Sequence, residues 1–195
     1  MILKNSKALL KIFTVSLVFT LFFSACGNEK AVKAEAEKIV EAVENKDVNA
    51  LEMLILGTGD FAEDEVLSDF FSDSESDSNG VIDKIIEQDS IKVKKIEKET
   101  IVYEITAPQL SGMFEEAMKE KDLSSENFEK YIYDYIAAAD KIKIEVKVPY
   151  TYENKVFEAD YLTKDFINAI TGNLIDAYQG LVQKMLEENS GESVK

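Results

Sequence analysis

Tyrosines and acids are the side chains of this chain with most chemistry to offer. Tyr131, Tyr133, Tyr135, Tyr150, Tyr152 and Tyr161 could line a pocket for a sugar or another ring. Their spacing also follows strand and helix periods, so core and rim packing accounts for them as well. Two carboxylates about 5–10 Å apart across a cleft would suit glycoside hydrolysis. With 38 acids in the chain such pairs are inevitable, and their presence decides nothing. There is no His, hence no general base of the usual kind near neutral pH and none of the commonest transition-metal ligand. There is no Arg to clamp phosphate or carboxylate with two parallel bonds. A serine nucleophile would need a lysine base, and no Ser-x-x-Lys spacing stands in a promising context. Gly57-Thr58-Gly59 is too little for a phosphate loop. No catalytic residue is assigned, no cofactor is expected, and the chain is expected not to be an enzyme.

The run Glu75-Ser76-Asp77-Ser78-Asn79-Gly80-Val81-Ile82-Asp83 looks like the start of an EF-hand loop, with oxygen ligands at alternate positions and a turn glycine sixth. That register makes Ile86 twelfth, where calcium needs a bidentate Glu, and Glu87 comes one residue late. The stretch reads better as a solvated Ser/Asp turn, and no metal site is assigned.

Cys26 is the single cysteine, and what precedes it gives it a role. Lys4, Lys7 and Lys11 open the chain, and no acid occurs in the first 25 residues. Ile12 to Phe23 runs apolar, broken by Thr14, Ser16 and Thr20. Those 12 residues fall short of the roughly 20 that a membrane span needs. They match the roughly 7–15 of a secretory signal core. The segment Phe23-Ser24-Ala25-Cys26-Gly27 then resembles the lipobox of bacterial lipoproteins, with Phe23 standing where Leu is usual. The resemblance implies a signal peptide over 1–25, a diacylglyceryl group on Cys26, a lipidated tether over 26–30 and a protein held on the outer face of the cell membrane. Two acyl chains anchor stably where one does not.

Charge narrows the partners. Three of the 22 basic residues and none of the acids lie in the leader, leaving 19 bases against 38 acids in the remainder. Such a surface repels nucleic acid and favours cations or cationic proteins. Nucleic-acid binding is excluded on that ground.

The elements that would position a site follow in order. Val32, Ala36, Ile39, Val40 and Val43 give a helix from Lys30, interrupted at Asn45-Lys46-Asp47. Asp47 caps a second helix through Leu51 and Leu54, which Gly57 ends. In the acidic stretch Asp60 to Asn79 the first part reads as a helix with Phe61, Phe70 and Phe71 inward and Ser72 to Asn79 as a solvated loop, and Val81 to Glu87 as a short helix. Ile91–Ile96 pairs with Ile101–Thr106 across a polar turn. A helix over Leu110–Met118 and one capped by Ser124 or Ser125 come next. From Ile142 to Tyr152 apolar residues alternate with charge, the pattern of a half-buried antiparallel strand. Glu153-Asn154-Lys155 turns it into a partner with Phe157, Ala159 and Tyr161 inward, and Pro149 belongs at an edge or a bulge. Thr163 caps a last helical region whose inward stripe runs Phe166, Ile170, Leu174, Tyr178, Leu181 and Met185, divided or kinked at Gly172.

This order is that of an α+β domain over 31–188, with helices on one face of a curved antiparallel sheet and a polar tail over 189–195. The opening helix with Asn45-Lys46-Asp47 and Leu51, and the phrase from Ile142 to Leu174, resemble the NTF2-like lipoproteins of Gram-positive bacteria. The resemblance implies a cone with a pocket between sheet and helices, although the helical insert between Pro108 and Asp140 departs from the pattern. It further implies a non-enzymatic extracellular module that binds a small ligand or a cationic protein partner. The alternatives are an enzyme using carboxylate and Tyr residues in that pocket, or a calcium-binding surface module.

Overall fold

The clearest alternation in the sequence becomes the longest strand. The computed structural model describes residues 28–57, 80–120 and 124–191. In it β3 spans Lys141–Glu153, with Val146 and Val148 buried and Lys141, Lys143, Glu145 and Lys147 exposed. β2 (Thr100–Pro108) runs antiparallel to it from Thr100↔Pro149 to Pro108↔Lys141. β1 (Ser90–Ile96) pairs with β2 in the register Ile91↔Ile105 and Ile96↔Ile101, with an irregularity between Val93 and Lys95. β4 (Val156–Ala159) returns along the end of β3. The sheet order is β1-β2-β3-β4, all antiparallel, and the domain is α+β as its sequence pattern predicts.

Local chemistry sets the connections. Asn154 and Lys155 hold φ of 51° and 67°. A two-residue hairpin turn with both residues in the left-handed region matches the twist of its strands. Pro149 sits where β3 leaves β2 and takes up β4. Its carbonyl accepts the Asp160 N–H at 2.9 Å, whereas the Tyr150 N–H donates to Glu99 O on the β2 side at 3.1 Å. N and O of one strand residue point to the same side, so the ring nitrogen faces away from β2 and costs that ladder no bond.

One face of the sheet is covered by helices. α1 (28–44) buries Val32, Ala36, Ile39, Val40 and Val43. α2 (Val48–Leu56) starts at Asp47, whose carboxylate accepts the Ala50 N–H, and ends at Gly57 with φ 61°. α6 (Lys164–Ile170) is capped by Thr163 Oγ1 and buries all of Phe166 to Ile170. These meet Ile101, Tyr103, Ile105 and Val148 in the main core. A smaller core joins Ile85 of α3 (Val81–Ile86), Leu110, Met113 of α4 (Met113–Ala117), Ile136 of α5 (Ser125–Ala138) and Leu174 of α7 (Leu174–Gly191). The opposite face of the sheet is charged: Glu104 takes Lys92 at 2.8 Å and Lys143 at 3.3 Å, which holds its carboxyl below the usual range.

Three expectations are corrected. The helix over Leu110–Met118 contracts to α4, because Leu110 is spent on a backbone bond to Gly172 and Met118 is 54% exposed. The inward stripe of the last helix stops early: Tyr178 and Met185 are 44% and 45% exposed, and α7 packs on α4 and α6 rather than on the sheet. The space between sheet and helices is filled among the described residues by Tyr103, Tyr161 and Phe166, at ring separations of 5.1 to 6.1 Å, where the resemblance implied a pocket. The acidic stretch Asp60–Asn79, with its expected helix and loop, lies outside the described residues.

Gly172 divides α6 from α7 at φ 61°, and its carbonyl accepts the Leu110 N–H at 2.8 Å. A Cβ there would stand 1.9 Å from the Pro108 carbonyl oxygen. Gly172→Ala therefore should cost about 3 kcal/mol or more in urea unfolding, because backbone must move. Gly180→Ala, in α7 with nothing within 4 Å of the new methyl, should instead stabilise by up to about 1 kcal/mol.

Candidate functional site

Residues 28–32 of α1, the β1–β2 turn and the β3–β4 hairpin meet at one end of the sheet and leave an open groove of about 570 Å³. Each wall has a local cause. Asn28 and Glu29, exposed on α1, and the buried Val32 line one side. The β1–β2 turn closes through the Glu97 N–H to Thr100 O at 2.8 Å and presents Glu97, Lys98 and Glu99. Tyr150 forms the floor: its hydroxyl donates to Glu97 O at 2.9 Å, and its ring stacks on Phe157 at 5.8 Å. Tyr152 and Glu153 complete the rim.

The groove is acidic. Glu29, Glu97, Glu99 and Glu153 face it against Lys98. Lys95 donates to Glu97 at 2.8 Å and holds its carboxyl below the usual range. Burial, followed by the charges of Glu29 and Glu99, raises the Tyr150 hydroxyl above its ordinary value. An amine over Tyr150 or Tyr152, ringed by carboxylates, would find both a π-face and opposite charge. A second, smaller groove of about 190 Å³ lies between α4 and α7, walled by Phe114, Met118 and Leu181 and bridged by the Lys184–Glu115 ion pair.

The six tyrosines singled out from sequence separate into three places. Tyr150 and Tyr152 share the groove. Tyr131 and Tyr135 pack on one another at 6.0 Å along α5, beside Tyr133, whose hydroxyl donates to Glu129. Tyr161 is in the core, its hydroxyl 2.8 Å from that of Tyr103, which also reaches Ala36 O at 3.1 Å. Burial lifts the Tyr103 hydroxyl far above the usual range and pushes Tyr161 up to about 12, the bond from Tyr103 partly offsetting the latter.

Cys26 lies outside the described residues, as does Glu75–Asn79 of the oxygen-rich run. Of that run's described part, Gly80 and Asp83 cap α3, Gly80 N–H to Asp83 Oδ2 at 2.9 Å, and Ile86 is buried in the core. Among the described residues no three acidic or cysteine side chains come together to hold a metal ion, and no helix is long and apolar enough to cross a membrane.

One residue escaped the sequence reading. Asp89, between α3 and β1, is 3% exposed, and both its carboxylate oxygens lack a hydrogen-bond partner. Burial pushes it up to about 8 against the pull of Lys141 and Lys46. It lines neither groove. No periodicity marks it, because Gln88-Asp89-Ser90 reads as an ordinary polar junction. No family model, no curated protein and no solved structure matches the chain.

The buried hydroxyl pair has a direct optical consequence. In a spectrophotometric titration of the folded protein, Tyr103 and Tyr161 should remain un-ionised until the fold itself gives way in alkali. Tyr103→Phe should remove about 1 kcal/mol of stability in urea unfolding near neutral pH.

Proposed function

We propose that this chain is a lipoprotein, anchored through Cys26 to the outer face of the cell membrane, with a non-enzymatic NTF2-like domain that binds a small amine-bearing ligand or a cationic protein segment in the groove at its anchor end. The observation that carries the reading is the position of that groove. Asn28 and Glu29, the second and third residues after Cys26, line it. An anchor there would hold the groove within a few residues' reach of the bilayer surface. Its acid rim and two tyrosines suit positive charge.

Support for the NTF2-like part is the packing of α1 and α6 on one face of a four-stranded antiparallel sheet. The insert of α4 and α5 between β2 and β3 sets this chain apart.

Cys26→Ala should move the protein from the membrane fraction to the soluble one and abolish the mass increment of a diacylglyceryl group; continued fractionation with membranes without that increment would sink the anchor reading. The binding reading is checked separately by native mass spectrometry of the protein extracted from membranes in mild detergent. A co-purified mass that Tyr152→Ala loses while Tyr133→Ala keeps it is the expected result. An adduct retained by both variants, or none at all, places binding elsewhere.

A further inference from the structure

A glycine in mid-helix weakens the helix by about 1 kcal/mol against alanine, so a fold that keeps one should show why. Gly180 of α7 has no reason inside this molecule. Its φ is not positive, and a Cβ there would meet nothing within 4 Å. What the missing side chain does is deepen the second groove. Ala177, Gly180, Leu181 and Lys184 line that groove from α7, at the i, i+3, i+4, i+7 spacing of one helix face. Across it α4 offers Phe114 and Met118, the latter 54% exposed. Helices pack about 8–10 Å apart according to the side chains between them, and a face notched at its centre allows the near end of that range.

We propose that this groove is the interface of a homodimer, in which α7 of each copy lies antiparallel in the groove of the other and the two helices cross at Gly180.

Charge and symmetry commit the groove to a second copy. The chain carries a net charge of −16, so two copies repel wherever their acidic surfaces meet. The groove is balanced instead: Asp176 is paired with Lys164 at 2.8 Å, and Glu115 with Lys184. Asp176 and Lys184 stand four residues to either side of Gly180, about 6 Å along the helix in each direction. An antiparallel crossing at Gly180 therefore brings Asp176 level with the partner's Lys184, and the two-fold axis makes the match twice. The charges then alternate in the order Lys164, Asp176, the partner's Lys184, the partner's Glu115, and neither existing pair is broken. A foreign helix would have to carry the same order to fit, whereas a second copy carries it by symmetry. Leu181 and Met118 are covered in the same contact.

The test is made on the full chain in its membranes, with Cys26 in place. Under mild oxidation Gly180→Cys should yield a disulfide-linked dimer, because residue 180 faces its own counterpart. Lys143→Cys, on the sheet's outer face, should link no more than the chain with no added cysteine. In the Gly180→Cys background, Asp176→Lys alone and Lys184→Glu alone should each cut the linked fraction about tenfold, since each puts like charges opposite one another. Membranes holding both variants together should recover it in mixed dimers, where the charges match again. Native mass spectrometry in mild detergent should show a dimer that Gly180→Leu converts to monomer without loss of stability in urea. Monomers alone in the wild type, a dimer that survives Gly180→Leu, or a mixture linking no better than either charge variant would each overturn the interface. Should Gly180→Leu unfold, the mixing result decides.

Discussion

A single phenol ties the layers of this domain together. Tyr103 stands in the middle of β2, wholly buried, with its hydroxyl on the Ala36 carbonyl of α1 and on the hydroxyl of Tyr161 just past β4. A buried hydroxyl without partners would cost the fold more than its ring contributes in contact, so this position tolerates Tyr only because a helix carbonyl and a second phenol arrive together. The ring also meets Phe166 edge-on at 6.0 Å, which fixes where α6 crosses the sheet. The helix, both hairpins and the capped segment after β4 are thus placed relative to one atom. The same rings occupy the volume in which a pocket was expected, and the concavities of the domain are consequently at its ends.

That displacement shapes the function proposed. A groove between one helix and two turns is built from backbone bends and charged side chains, and the specificity proposed for it rests on rim charge more than on enclosure. The sheet's outer face shows the contrast. There Lys92, Lys143 and Lys94 meet Glu104 and Glu145 across the strands, and the charges offset one another. At the groove the acids outnumber the bases. The acidic excess of the chain has a local address there.

Much of the framework was legible because each signal was local. Asp47 and Thr163 are caps in the sequence and in the structure. Gly172 divides the last helical region as its position suggested, and the alternation of β3 gave its inward face residue by residue. What escaped depends on distant parts of the chain. Whether Tyr178 and Met185 are covered is decided by how α4 and α6 lie beside α7, and the burial of Asp89 by the arrival of α3, β1 and β3 at one corner. The groove was illegible for the same reason, since Glu29, Glu97 and Tyr152 come from three separate segments. Tyrosines close in sequence proved far apart in role, because α5 and β3 send theirs to different surroundings.

β4 pairs with β3 only along Tyr150 to Glu153. Beside Lys141 to Val148 no described strand occupies that side of β3. Any foreign strand adding itself there would meet the backbone groups of residues 141, 143, 145 and 147, three of which carry lysine. A second copy approaching along that edge would bring its own lysines beside these before a backbone bond could form. The alternation that writes the strand so plainly in the sequence is, in the assembled protein, also a guard against fibrous self-association.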